Sequence, residues 1–175
     1  MNTPQIKLRK WEMSDLESLV TYANNADIAN NLTDAFPHPY TKADGERFIT
    51  MLQDDDPVKV FAIEINGKAC GAIGLFPQTD IHKKNAEMGY WLAEPFWGKG
   101  IMTQLIGEMI VYGFATWDIH RIFARPFSSN LASQKILRKN GMKLEARLDQ
   151  TLWKNNRWED ELIFAIRRND IYNKV

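Results

Sequence analysis

The sequence predicts a mixed α/β domain spanning residues 1–175, and three observations predict it. Strand-like and helix-like spacings alternate along the whole chain. Asn66-Gly67 falls between two apolar strands, where that dipeptide favours a two-residue turn. The segment Phe96 to Gln104, "FWGKGIMTQ", sets two glycines between the end of a strand and the start of a helix.

The elements follow in order. "QIKLR" reads as a short strand, and Ser14 to Glu17, "SDLE", reads as a capping box opening a helix with Leu16, Leu19, Val20 and Ala23 on one stripe. "TDAFPHPY" is too proline-rich to be regular. Thr41 and Asp44 form a second box, ahead of a helix carrying Phe48, Ile49 and Leu52. "KVFAIEI" and "KACGAIGLF" are the arms of the Asn66-Gly67 hairpin, and "AEMGYWL" is a fourth strand leading into the glycine loop. The next helix places Met102, Leu105, Ile106, Met109 and Gly113 at helical spacing. "HRIFARP" is a strand, "NLASQKILRKNG" a helix stopped by Gly141, and "MKLEARL" and "EDELIFAIR" are two closing strands.

Composition narrows the function. With 45% apolar and 25% charged residues, the chain suits a globular domain with a substantial core. Lys plus Arg and Asp plus Glu are each 22, so no global field draws it to nucleic acid or an anionic membrane. Neither partner is expected. Cys70 is the sole cysteine, which excludes an intrachain disulfide, and "MNTPQIKLRK" lacks a secretory h-region. No apolar run nears the roughly 20 residues that span a bilayer. The expected location is the cytoplasm.

The glycine loop has the makings of an anion cradle. A helix N-terminus carries about half a positive charge and unpaired N–H donors, so a pyrophosphate would be held at residues 98–103 largely by backbone. Lys99 and Thr103 add donors. The spacing fits neither the nucleotide phosphate loop nor the dinucleotide fingerprint. The plainer alternative is that Gly98 and Gly100 only turn the chain tightly.

"AEMGYWLAEPFWGKGIMTQLIGEMIVYGF", followed by "RPFSSNLASQKILRKNGMKLEARL", resembles the Gcn5-related N-acetyltransferase (GNAT) superfamily, and within it the branch that acetylates N-terminal amines of ribosomal proteins, the RimJ/RimL-like branch. The pattern extends from "KLRKWEMSDLESL" to "RWEDELIFAI". The resemblance implies a GNAT-type fold: a mostly antiparallel central sheet with splayed parallel strands 4 and 5, flanked by helices. It also implies acetyl-coenzyme A as cosubstrate and an amine acceptor. In the family loop, Gln/Arg-x-x-Gly-x-Gly/Ala, backbone amides hold the pyrophosphate. Gly100 matches the central glycine, whereas Trp97 stands at the Gln/Arg position and Met102 at the final small one. Asn130 to Gly141 matches the Asn-x-x-Ser helix that ends in Gly-Phe, with Met142 replacing the phenylalanine. Asn130 would then bond the pantetheine amide and Ser133 would lie near the thioester sulfur; a plain helix cap is the alternative for Asn130. Leu137 stands where many members carry a tyrosine that protonates the thiolate.

The resemblance thus implies cofactor contacts at Trp91, Leu92, Trp97, Gly98, Lys99, Gly100, Ile101, Met102, Thr103, Asn130 and Ser133. The chemistry asks for a base, an oxyanion donor and an exit for the thiolate. Glu87, on the face of the fourth strand shared with Gly89 and Trp91, is the candidate base; its alternative is an exposed carboxylate without a role. A backbone N–H near Leu92 would serve the oxyanion, and Ser133 or water the thiolate. Phe36, Tyr40, Trp91 and Trp153, with Glu87, are expected near the acceptor. His38, His82 and His120 match no metal-ligand spacing, so no metal is expected. Cys70 reads as a buried small hydrophobe, and Asp54 to Pro57 as a solvated loop. The first-choice acceptor is a protein N-terminal α-amine; a polyamine or aminoglycoside-like amine, and a coenzyme A sensor without turnover, are the alternatives. Monomer and homodimer both stay open.

Overall fold

The computed structural model describes residues 5–172. Among these residues, seven strands and six α-helices are laid out as β1 (Ile6–Arg9), α1 (Leu16–Ala23), α2 (Ala26–Ala29), α3 (Lys42–Leu52), β2 (Val60–Ile65), β3 (Lys68–Pro77), β4 (Asn85–Leu92), α4 (Ile101–Thr116), β5 (Arg121–Ala124), α5 (Leu131–Lys139), β6 (Lys143–Lys154), β7 (Arg157–Arg167) and α6 (Arg168–Tyr172). The strands form a sheet of order β1-β2-β3-β4-β5-β7-β6. It is antiparallel at β1–β2, β2–β3, β5–β7 and β6–β7, and parallel at β4–β5. The predicted mixed architecture with a parallel fourth and fifth strand is therefore present. Two compact units divide the described chain, one of residues 5–74 with 90–99 and one of residues 75–89 with 100–172.

In the first unit the helices bury one stripe each. Leu16, Leu19 and Ala23 of α1 and Ile49 of α3 join Trp11, Val60, Ala62, Ala69 and Trp91 in one apolar core. Removing that much apolar surface from water is the main force holding helices to sheet. Thr41 caps α3 as the sequence predicts, its hydroxyl accepting from Asp44 N–H while the Asp44 carboxylate accepts from Thr41 N–H at 2.9 Å. Asn66 and Gly67 both take positive φ, 51° and 83°, the two-residue turn that twisted hairpin strands favour.

The expected capping box at Ser14 is corrected. The box that forms is Glu12 with Asp15, around a short 3-10 turn at Met13–Asp15, and α1 starts only at Leu16. Asp15 is drawn there because Arg9 grips its carboxylate with two bonds, at 2.6 and 2.7 Å, while also reaching Glu64 on β2. That part-buried staple ties β1, β2 and the entry to α1 together.

The second unit is built around α4, whose buried residues Ile101, Met102, Leu105, Ile106, Met109, Ile110, Gly113 and Phe114 cover much of its circumference. Ile122, Leu137, Met142 and Phe164 are buried in the same unit. The closing strands run longer than the sequence suggests, reaching Lys154 and starting again at Arg157. Asn155 and Asn156, both left-handed at φ 52° and 58°, join them. β6 is exposed along most of its length, which erased the alternation that would have marked it. A register shift between Leu148 and Leu152 is pinned by Asp160, which accepts from Gln150 N–H at 2.8 Å.

Candidate active site

Glu87 lies where the parallel strands part. β4 and β5 pair at Asn85–Arg121, Ala86–Ile122 and Glu87–Phe123; β5 then ends at Ala124 while β4 continues to Leu92. Alternation holds along β4 from Asn85 to Gly89, with Ala86 and Met88 buried and Glu87 half-buried on the other face, then stops, since Trp91 and Leu92 are both buried. The Glu87 carboxylate is gripped side-on by Arg125, just past β5, with Nε to Oε1 at 2.9 Å and a terminal nitrogen to Oε2 at 3.0 Å. Arg125 also reaches Glu161 of β7 at 3.5 Å. The Glu87 bond is the chief reason the Arg125 guanidinium is held above its ordinary pKa, against the opposing effect of burial. The sequence reading missed Arg125. No motif links it to Glu87; only the parallel register, which sets Glu87 opposite Phe123, brings them together.

The glycine loop is shaped as a cradle requires. A 3-10 turn at Glu94–Phe96 leads to an extended Trp97, and Gly98 and Gly100 take φ of 72° and 78°, which side-chain-bearing residues rarely adopt. A Cβ built on either glycine meets no atom within 4 Å, so the backbone conformation rather than crowding selects glycine here. Gly100 is the N-cap of α4 and its carbonyl accepts from Gln104 N–H at 3.1 Å. The N–H groups of Ile101, Met102 and Thr103 therefore sit in the first turn, outside the helical ladder. Donors at a helix start beside open glycines fit a pyrophosphate. Trp97 donates its indole N–H to the Leu92 carbonyl at 2.6 Å, and the Lys99 ammonium folds back to the Pro95 carbonyl at 2.8 Å and over the Phe96 ring. Lys99 is thus turned toward its own loop, although an ammonium has further protons to give.

Asn130 caps α5, its Oδ1 accepting from Ser133 N–H at 3.0 Å. The cap uses the oxygen, and the side-chain NH2 is a separate donor. Ser133 is half-buried on the first turn. Leu137, one turn further along, is wholly buried, so its replacement of the family's tyrosine serves the core. Gln134 is anchored to the Ser128 carbonyl at 2.8 Å, fixing the segment that carries Asn130.

Of the expected acceptor-side aromatics, Phe36, Tyr40 and Trp91 gather in the first unit: the Phe36 ring lies 5.1 Å from Tyr40 and 5.7 Å from Trp91. Tyr40 is 5% exposed, and burial, with Asp44 adding to it, pushes its phenol up to about 12. It is a neutral hydrogen-bonding group and not a base. Trp153 has a different neighbour, Trp158 across the β6–β7 hairpin at 5.1 Å, and both rings are exposed. Cys70 is fully buried, and burial pushes its thiol up, as befits a small core residue. Among the described residues no group of three or more His, Cys, Asp or Glu is placed to hold a metal, and no helix is long and apolar enough to cross a membrane.

Residues 5–143 match the family described as the acetyltransferase (GNAT) domain. The chain belongs to the GNAT family. Its reaction is therefore N-acetyl transfer. Among its relatives are the spermidine N(1)-acetyltransferase of Escherichia coli, 25% identical over 167 residues covering 92% of this chain and 85% of the relative, and the ribosomal-protein-serine acetyltransferase of the same organism, 29% identical over 115 residues covering 66% and 64%. Among solved structures, RimL, a ribosomal alpha-N-protein acetyltransferase in complex with coenzyme A, superposes with a TM-score of 0.81 at 22% identity over 93% of each chain. The ribosomal-protein likeness read from the sequence is thus accompanied by likeness to a polyamine enzyme.

Proposed function

We propose that the acceptor of this GNAT enzyme is the α-amine of a protein N-terminus, and that both compact units act as one N-acetyltransferase domain. The family match running through residues of both units supports the second part. The observation that carries the first is the two-pronged bond from Arg125 to Glu87. A proton taken by Glu87 would cost Arg125 its ionic partner, so this carboxylate suits an amine that arrives largely neutral. An N-terminal amine titrates near ~7.8 and an alkylamine near ~10.4, so at pH 7.4 roughly a quarter of the first and a thousandth of the second is ready to attack.

Acetyl-coenzyme A, when bound, supplies the activated acyl group. The residues we assign to hold it are Trp91, Leu92, the backbone of Trp97 to Thr103, and Asn130 with Ser133. Glu87 receives the remaining amine proton, directly or through water. The Leu92 backbone N–H donates to the carbonyl oxygen, and the Ser133 hydroxyl or water donates to the departing sulfur. Phe36, Tyr40 and Trp91, with Trp153, are the aromatic residues assigned to the acceptor side.

A polyamine acceptor is the second reading, favoured by the spermidine-acetylating relative. Against it, Arg125 neutralises part of the charge on Glu87 and Glu161, where a polycation needs uncompensated carboxylates. The test is coenzyme A release from acetyl-coenzyme A at pH 7.4, offered a pool of short peptides with free N-termini or spermidine. We expect kcat/KM for the peptides to exceed that for spermidine by at least about tenfold, given the neutral fractions above. Equal or reversed values, or no release with either amine, overturn the acceptor.

A further inference from the structure

Three charged groups from three separate elements converge at the parting of β4 and β5: Glu87 on β4, Arg125 just past β5, and Glu161 on β7. The central guanidinium spends two of its nitrogens on Glu87 and turns the third toward Glu161. Its Nε and one terminal nitrogen each meet a different oxygen of Glu87, which is the planar fork-to-fork geometry that fixes a carboxylate's orientation as well as its charge. One bond alone would let the carboxylate spin about its terminal torsion, which is broad and two-fold for glutamate. Two bonds stop it. The anchoring continues beneath: Leu162 N–H donates to the Pro126 carbonyl at 3.0 Å, Ser128 N–H donates to the Asp160 carbonyl at 2.9 Å, and Phe127 bridges Glu161. The segment bearing Arg125 is thus stitched to β7 on both sides of Glu161.

We infer that Arg125 is a positioning residue for acetyl transfer, aiming the Glu87 carboxylate so that a chosen lone pair meets the acceptor amine, with Glu161 holding Arg125 in place. This rests on the reading of Glu87 as the base. Arg125 keeps its own protons throughout: the amine's proton passes to a Glu87 oxygen, the amine nitrogen keeps its electron pair for the acyl carbon, and Arg125 neither gives nor takes a proton. Its contribution is orientation, which is the kind of term that a small displacement of a base removes.

A double-mutant cycle on the intact protein separates aiming from mere support. Coenzyme A release is measured with acetyl-coenzyme A and the pool of short free-N-terminus peptides, for wild type, Glu87→Gln, Arg125→Gln and the double variant, each confirmed folded by thermal melting. We expect Arg125→Gln to lower kcat about fivefold while leaving KM for acetyl-coenzyme A unchanged, and to lower it less than about twofold further once Glu87 is already Gln, the mark of two residues acting as a unit. Arg125→Lys, which keeps the charge and loses the fork, stands in if the Gln variant does not fold, with the same non-additivity expected. Equal losses from Arg125→Gln on both backgrounds, or no loss on either, overturn the positioning role while a costly Glu87→Gln leaves the base reading standing. A silent Glu87→Gln overturns both, and does so separately from any effect of Arg125.

Discussion

Trp97 donates its indole N–H to the Leu92 carbonyl at 2.6 Å, tying the end of β4 to the glycine loop that follows it. A tryptophan at the family's Gln/Arg position has thereby become a brace between two segments that we assign to the cosubstrate. Trp97→Phe keeps most of the ring and loses the donor. It should cost about 1 kcal/mol of stability and weaken acetyl-coenzyme A by up to about fivefold. Thermal melting and titration of the cosubstrate check both; an unchanged affinity would make the brace purely structural.

Gly100 tests the cradle. Its φ of 78° and the open space around it mean that an added side chain is penalised by the backbone alone, by about 1–3 kcal/mol in the left-handed region. Acetyl-coenzyme A at a hundredfold excess over Kd should stabilise the wild type by ~2.7 kcal/mol. We expect Gly100→Val to remain folded and to lose that stabilisation. A folded variant that binds as tightly as wild type would leave Gly98 and Gly100 as a tight turn and nothing more.

Asn130 separates cap from contact through two substitutions. The cap works through Oδ1, which accepts from Ser133 N–H, so Asn130→Asp should preserve it, a carboxylate at a helix start being favourable as well. Asn130→Ala should cost ~1 kcal/mol. If the side-chain NH2 bonds pantetheine, both variants raise KM for acetyl-coenzyme A, and the Asp variant does so without loss of stability. A normal KM in Asn130→Asp would return the residue to capping alone.

Acid should loosen the staple in the first unit. Burial pushes the Asp15 carboxyl up, but the double bond from Arg9 and the Glu12 N–H outweigh it and hold the group below its ordinary value. A depressed carboxyl contributes stability above its unfolded value of ~3.9 and loses it as pH falls through the folded one. Melting temperature should therefore fall as pH drops below about 4, and Asp15→Asn should flatten that fall while costing about 1.5 kcal/mol near neutrality, since Arg9 keeps Glu64 as a partner. An unaltered acid dependence in Asp15→Asn would remove Asp15 from the account of acid unfolding.

Local chemistry made most of the fold legible. The Thr41 box, the Asn66-Gly67 turn and the Gly100 start of α4 are each written within four or five consecutive residues, and each is where it was expected, while Asn130 makes the helix cap that was its alternative reading. The misreadings come from partners outside the local motif. Asp15 left the expected Ser14 box because Arg9, six residues earlier on β1, claims its carboxylate. The outer halves of β6 and β7 carry little alternation because β6 is exposed along most of its length. In the site, the glycine loop and the Asn-x-x-Ser helix were readable as motifs. Arg125 was not, because it acquires its meaning only from Glu87, 38 positions away, through the β4–β5 register.

The acceptor amine and the work of Glu87 meet in the pH dependence of kcat/KM, measured for wild type and Glu87→Gln on the peptide pool. An N-terminal amine is half neutral near ~7.8, so the wild-type profile should climb and level off above about pH 8. Glu87→Gln should follow the same shape at a height lower by about tenfold, less than the ~10²–10⁴-fold that removing a general base typically costs, because this amine arrives partly neutral. A wild-type rate still climbing past pH 9 would contradict an N-terminal amine, and profiles of equal height for the two proteins would contradict Glu87 as the base.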